Sequence, residues 1–140
     1  MNEPAELPAE VRRLLAGPVD SFEKSEILLL TWQQPDEAWT VSALVAHVRL
    51  PADGVTTALD ELVASKLLIR TGEVYRFAPV AAADRSAAIA LCQLYGADRL
   101  LVMKEMTALA MGRIRSSAAR AFSDAFRFRR RDPGKGGSDA

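Results

Sequence analysis

A catalytic or metal centre needs several cooperating side chains, and this sequence supplies few. His47 is its only histidine and Cys92 its only cysteine. A zinc-type site needs three or four ligands, so neither residue suggests a metal or a nucleophile–base pair, and no cofactor or enzymatic activity is expected. Cys92 falls on an apolar stripe, where a thiol acts as a small hydrophobe. A redox sensor would want an exposed, electropositive setting. Asp36-Glu37 and Asp60-Glu61 are adjacent acids, and adjacent residues of a helix point apart, so they read as solvated charges. Gly112 and Gly136-Gly137 make no phosphate loop. Trp32 and Trp39 are expected in the core and at a hinge. The chemistry left is that of cations.

Those cations are unevenly placed. The chain has 140 residues with 18 bases and 18 acids, a net charge of zero. Residues 21–79 hold eight acids (Glu23, Glu26, Asp36, Glu37, Asp53, Asp60, Glu61, Glu73) and five bases (Lys24, Arg49, Lys66, Arg70, Arg76), a net of −3. Residues 84–131 hold ten bases and four acids, a net of +6. Such asymmetry often marks an interaction surface. Half the residues are apolar and 26% charged, as in ordinary globular chains. No apolar run reaches eighteen residues, so no membrane span is expected. The acidic start Met1-Asn2-Glu3-Pro4 does not read as a secretory signal. With a lone cysteine, these features lead us to expect a cytoplasmic protein.

The elements that position the cations follow from hydrophobic period. Residues 1–20 read as a polar lead with one short helix, Pro8 to Ala16, stopped by Gly17-Pro18. Asp20 or Ser21 can cap a helix holding Ile27-Leu28-Leu29-Leu30-Thr31-Trp32, apolar on more than one face and so central. Thr40 caps a short helix with Val41, Leu44, Val45 and Val48 on one stripe. After Arg49-Leu50-Pro51-Ala52-Asp53, a third helix carries Val55, Ala58, Leu59, Leu62 and Val63 on one side. Beyond Lys66 the period changes to two, predicting a hairpin around Thr71-Gly72-Glu73. A three-residue loop pairs Ile69 with Tyr75 and Leu67 with Phe77, and puts Arg70 and Arg76 together on the solvated face. Residues 84–110 predict a helix whose stripe Ala88, Leu91, Cys92, Tyr95, Val102, Met106 and Leu109 runs some 25 residues, about 35–40 Å. Gly112 should break it. Ser116-Ser117 then cap a last helix with Phe122, Phe126 and Arg127-Phe128-Arg129-Arg130-Arg131, and residues 132–140 are expected to be disordered.

Three helices and a two-stranded ribbon, with a tight turn between helices two and three, is the order of a winged helix-turn-helix. The fold expected is mainly α with a small β-hairpin wing and long C-terminal helices. The segment Trp39-Thr40-Val41, Leu44, Val48, Leu50-Pro51-Ala52-Asp53, Leu59, Leu62, Lys66-Leu67-Leu68 and Tyr75-Arg76-Phe77 resembles the DNA-binding part of MarR-like bacterial regulators. The resemblance covers residues 21–79 and rests on apolar pattern. The ending Ala121-Phe122-Ser123-Asp124-Ala125-Phe126-Arg127 resembles an uncharacterised bacterial winged-helix family with a helical C-terminal extension.

The resemblance implies that the third helix enters the major groove of double-stranded DNA, with Ala52, Asp53, Thr56, Thr57 and Asp60 toward base edges. Arg49, Lys66, Arg70 and Arg76 would then meet phosphates, which set most of the affinity. The function implied is transcription regulation. Against it, the presented helix carries Asp53, Asp60 and Glu61 and no Arg, Gln or Asn on its exposed side. An unpaired carboxylate near phosphate costs roughly a kcal/mol or more. The alternative is a protein-interaction module whose acidic third helix docks a basic partner. Arg113, Arg115, Arg120 and the arginines of 127–131 either add phosphate contacts or solvate a helix end. The long stripe from Ala88 to Leu109 is expected to pair two copies as a homodimer, matching palindromic half-sites.

Overall fold

The computed structural model describes the backbone of residues 7–139 and the side chains of residues 7–125. It is mainly helical with one two-stranded antiparallel sheet. The order is α1 (Ala9–Ala16), α2 (Phe22–Gln33), α3 (Val41–Val48), α4 (Ala52–Ala64), β1 (Leu68–Thr71), β2 (Val74–Phe77), α5 (Ala82–Ala97) and α6 (Arg99–Asp139). Two compact units part between Met106 and Thr107.

The first unit is organised around α2. Ser21 caps it, its hydroxyl accepting from the Lys24 amide at 3.3 Å. Ile27, Leu28 and Leu29 are buried, and α5, α4, β2 and α3 all pack against the helix. Burying one such side chain contributes roughly 1.5–3 kcal/mol, which offsets the ordering of the surrounding chain. Helix α1 belongs to the same core. Val11, Leu14 and Leu15 are wholly buried and the helix packs on α5, so the short helix expected from Pro8 to Ala16 is present and joins the core. Their i, i+3, i+4 spacing is the signal that the surrounding charges masked.

Helices α3 and α4 follow the expected pattern. The Thr40 hydroxyl caps α3 by accepting from the Ala43 amide. Leu44 is buried, and α4 buries Val55, Ala58, Leu59 and Leu62. Between them Arg49 closes α3 in the left-handed conformation, φ 58°, so Leu50-Pro51 can start α4 at once.

The hairpin differs from expectation in register. Leu68 pairs with Phe77, Ile69 with Arg76, Arg70 with Tyr75 and Thr71 with Val74, leaving a two-residue turn at Gly72-Glu73. Gly72 lies at φ 64° and Glu73 does not share the positive φ, the arrangement in which glycine fits the first turn position. One-residue slippage in a period-two element moves every side chain to the other face. Ile69 is therefore 50% exposed, and Arg70 and Arg76 stand on opposite faces. The buried side is made by Leu68 and Tyr75, with Leu67 buried just before β1. Trp39 adds a single bridge to Tyr75, whose amide donates to the Trp39 carbonyl at 2.8 Å.

The long helix expected from 84 to 110 is two helices. Asp98 ends α5, its amide donating to the Leu94 carbonyl at 2.7 Å, and its carboxylate caps α6 by accepting from the Leu101 amide at 3.1 Å. Ala88, Leu91, Cys92, Tyr95, Val102 and Met106 are all buried within this one chain, and Leu109 is half-buried. The surface expected to pair two copies is thus already covered. Gly112 does not break α6, nor do Ser116-Ser117 start a new helix. A glycine there costs about 1 kcal/mol relative to alanine, too little to stop a nucleated helix that gains a hydrogen bond per residue. The backbone of α6 continues through Pro133, Gly136 and Gly137 to Asp139, where composition predicts disorder.

Helix α4 ends in a left-handed cap on a side chain that disfavours it. Lys66 sits at φ 65°, its amide donating to Val63 and that of Leu67 to Leu62, at 2.9 and 3.0 Å. Glycine adopts this conformation without the Cβ clash. Lys66→Gly is therefore expected to raise stability by about 0.5–1 kcal/mol, read as a higher urea midpoint at unchanged slope. A lower midpoint would contradict the capping argument.

Candidate nucleic-acid interface

The eight residues selected from sequence lie on α4, on the turns at its two ends and on the hairpin, and all are exposed. Pro51 opens α4 and the apolar side of the helix is buried, which turns Ala52, Asp53, Thr56, Thr57 and Asp60 outward, all exposed. Arg49 lies just before α4 and Lys66 just after it, both exposed. The hairpin follows within two residues of Lys66.

The two hairpin arginines do not act as a pair. The Arg70 guanidinium lies 5.5 Å from the centre of the Tyr75 ring, and its Nε donates to the Gly72 carbonyl at 2.8 Å. Cross-strand pairing with Tyr75 causes this, since the cation rests on the ring's negative face. Arg76, on the other face, donates from Nη1 to the Pro35 carbonyl at 3.3 Å. Both remain exposed, so each keeps donors for another acceptor.

The two flanks of α4 differ. Asp53, Thr57 and Glu61 face the N-terminus of α2 across a cleft of about 450 Å³, also lined by Asp20, Ser21, Glu23 and Lys24. Lys24 is buried, and its ammonium bridges the Asp20 and Glu61 carboxylates. Burial alone would lower the Lys24 pKa, yet hydrogen bonds to Glu61 and Asp20 raise it above the usual value. This cation is spent inside the fold, so the flank presents the remaining acids. The other flank, with Ala52, Thr56 and Asp60, carries a single carboxylate.

A third polar cluster ties α2 to α5 and α6. The Tyr95 hydroxyl donates to Glu26 Oε2 at 2.5 Å, and Arg99 donates to the same oxygen from Nε at 2.8 Å. Burial, then the Glu26 carboxylate, pushes the Tyr95 pKa upward, so the phenol stays protonated. Its place next to the Asp98 break identifies it as a joint between helices. In sequence Tyr95 belongs to the apolar stripe, and Glu26 at the head of the apolar run Ile27-Leu28-Leu29-Leu30 is the available signal of a polar partner.

His47 packs its ring edge-on against Trp39, centroids 5.2 Å apart. Trp39 is buried, its Nε1 donating to the Gln34 carbonyl at 3.0 Å. Among the described residues no group of three or more His, Cys, Asp or Glu is arranged to hold a metal, and no helix is long and apolar enough to cross a membrane. The side chains of Phe126, Arg127, Phe128, Arg129, Arg130 and Arg131 lie outside the described residues. Comparison with family models, curated proteins and solved structures finds no match for the chain.

Cys92 is buried in the first unit and burial pushes its pKa from 9.0 up to about 12. The native state thus keeps a proton that the unfolded chain releases near pH 9. The stabilisation is complete below that pH and is lost as pH rises toward the folded value, at about 1.4 kcal/mol per pH unit. Urea unfolding at pH 7.5, 9 and 10 is expected to show this decline, and Cys92→Ala to flatten it. An equal decline in the variant would refute the assignment.

Proposed function

We propose that the chain is a winged helix-turn-helix protein that binds double-stranded DNA and regulates transcription as a cytoplasmic homodimer. The observation carrying the reading is topological. A helix pair joined by the Arg49 turn leads straight into a two-stranded ribbon, and that ribbon bonds through Tyr75 to Trp39, just before the pair. Two-layer packing of this kind turns one face of α4 outward beside the ribbon, where a helix can enter a major groove.

In this reading Ala52, Thr56 and Thr57 approach base edges, the threonines offering a hydroxyl or a methyl. Arg49, Lys66 and Arg76 meet phosphates. Arg70 contributes from the other face of the ribbon, with its Nε already engaged. The acids are the cost of the arrangement: Asp53 and Asp60 stand on the outward face, so affinity from one module is modest and a second copy adds phosphate contacts.

The acidic cleft between α2 and α4 favours a second reading, in which Asp20, Glu23, Asp53 and Glu61 dock a basic partner protein. Salt-dependent titration of a labelled mixed-sequence duplex separates the two. DNA binding predicts affinity that falls steeply from 50 to 200 mM salt, and a salt slope smaller by about one for Arg49→Ala or Arg76→Ala. Asp60→Asn is expected to tighten binding severalfold. No duplex binding at 50 mM salt, with saturable binding of an arginine-rich peptide instead, would give the site to the basic partner.

A further inference from the structure

What α4 buries fixes what it presents. Val55, Ala58, Leu59 and Leu62 are buried, and at about 3.6 residues per turn the side opposite them is that of Asp53 and Asp60. Seven residues fall short of two full turns by about 20°. The two carboxylates therefore stand nearly in line along the outward side of the helix, with Thr56 and Thr57 to either side between them. Both acids are exposed. Their neighbour Glu61 is bonded to the Lys24 ammonium, which Asp20 also holds. Asp53 and Asp60 have no hydrogen bond or ion pair among the described residues.

We propose that Asp53 and Asp60 determine which sequence α4 selects, each accepting a hydrogen bond from the N4 amino group of a cytosine in the major groove. The proposal rests on the duplex reading of α4 and adds the bases that the helix chooses. An ionised carboxylate only accepts hydrogen bonds, so it needs a base edge that donates. Guanine shows the acceptors N7 and O6 in that groove, and thymine the acceptor O4. Adenine's N6 donor lies between its own N7 and the O4 of the paired thymine, with acceptors on both sides. Cytosine's N4 donor has guanine O6 on one side and a C–H edge on the other. Cytosine is the base that a carboxylate fits.

The rest of the outward side gives no competing signal. From Ala52 to Asp60 there is no Arg, Lys, Asn or Gln, so the usual contacts to guanine and to adenine are missing. Spacing then sets the register. Two turns put Asp53 and Asp60 about 10.5 Å apart along the helix, and base pairs rise about 3.4 Å. The two cytosines thus lie no more than about three base-pair steps apart, with the threonines over the pairs between them. The acids that weaken binding to a mixed sequence thereby discriminate among sequences.

The test is selection by the full chain from a randomised duplex pool at 50 mM salt, followed by titration of the enriched duplex. The pool is expected to gain cytosine at two positions at that spacing. Changing either C·G pair to T·A should weaken binding about tenfold. Asp60→Asn should bind a mixed-sequence duplex more tightly, as charge alone predicts, yet lose the cytosine preference at one position. Asp53→Asn should lose it at the other. Asparagine reads adenine through N6 and N7, so adenine should take cytosine's place in the pool that each variant selects. Both acids are exposed and unbonded, and the thermal transition of each variant should match the parent's. A parent pool without cytosine at fixed positions would overturn the proposal and leave the duplex reading standing. So would variants that tighten binding evenly and select the parent's sequence. Failure to bind any duplex would overturn both.

Discussion

Burial of α2 on nearly every side is the constraint from which the first unit follows. Its run of Ile27, Leu28 and Leu29 leaves no apolar face for solvent, so α5, α4, α3 and the ribbon must all be laid against it. The polar groups that α2 carries are then placed at joints. Lys24 is held by Asp20 and by Glu61 of α4, and Glu26 takes Tyr95 and Arg99 where α5 gives way to α6. A buried charge is tolerable only with partners in good geometry, which makes these contacts fix where α4 and α6 start from the core.

The outward face of α4 is a by-product of that packing. Its apolar side must meet α2 and α3, so Ala52, Thr56, Thr57 and the acids face out whatever they bind. Electrostatics then decides between partners. The same Lys24 that anchors α2 to α4 is withdrawn from the surface, and its carboxylate partners line the cleft. One flank of the helix repels phosphate while the ends, through Arg49 and Lys66, attract it. A duplex bound as proposed would therefore be met from the ends and the ribbon inward.

Elements with a single apolar stripe, or with a capping side chain at a sharp change of pattern, were legible in the sequence. The stripes of α3 and α4, the Ser21 and Thr40 caps and the change of period after Lys66 all reappear in the structure. The failures share a cause: each depended on a choice between near-equal local options. A two-residue and a three-residue turn differ by one position, and the turn glycine decided it against the apolar count on one face. Asp98 divides what looked like one helix because an aspartate can both end and cap, while the apolar stripe runs across the break unperturbed. The hairpin arginines were placed on a common face only through the wrong register. For the candidate site, the exposure of Ala52, Asp53, Thr56, Thr57 and Asp60 could be read from periodicity, whereas the cleft beside them needed the tertiary placement of Asp20 and Glu23.

Backbone amide shift mapping with a short duplex tests the central claim most directly. The account predicts perturbations at Arg49, at Ala52 to Asp60, at Lys66 and along the ribbon through Arg76, with the interior of α2 and α5 unmoved. Perturbations absent from α4 and the ribbon at saturating duplex, or confined to Asp20, Glu23 and Glu61 on adding a basic peptide, would contradict it.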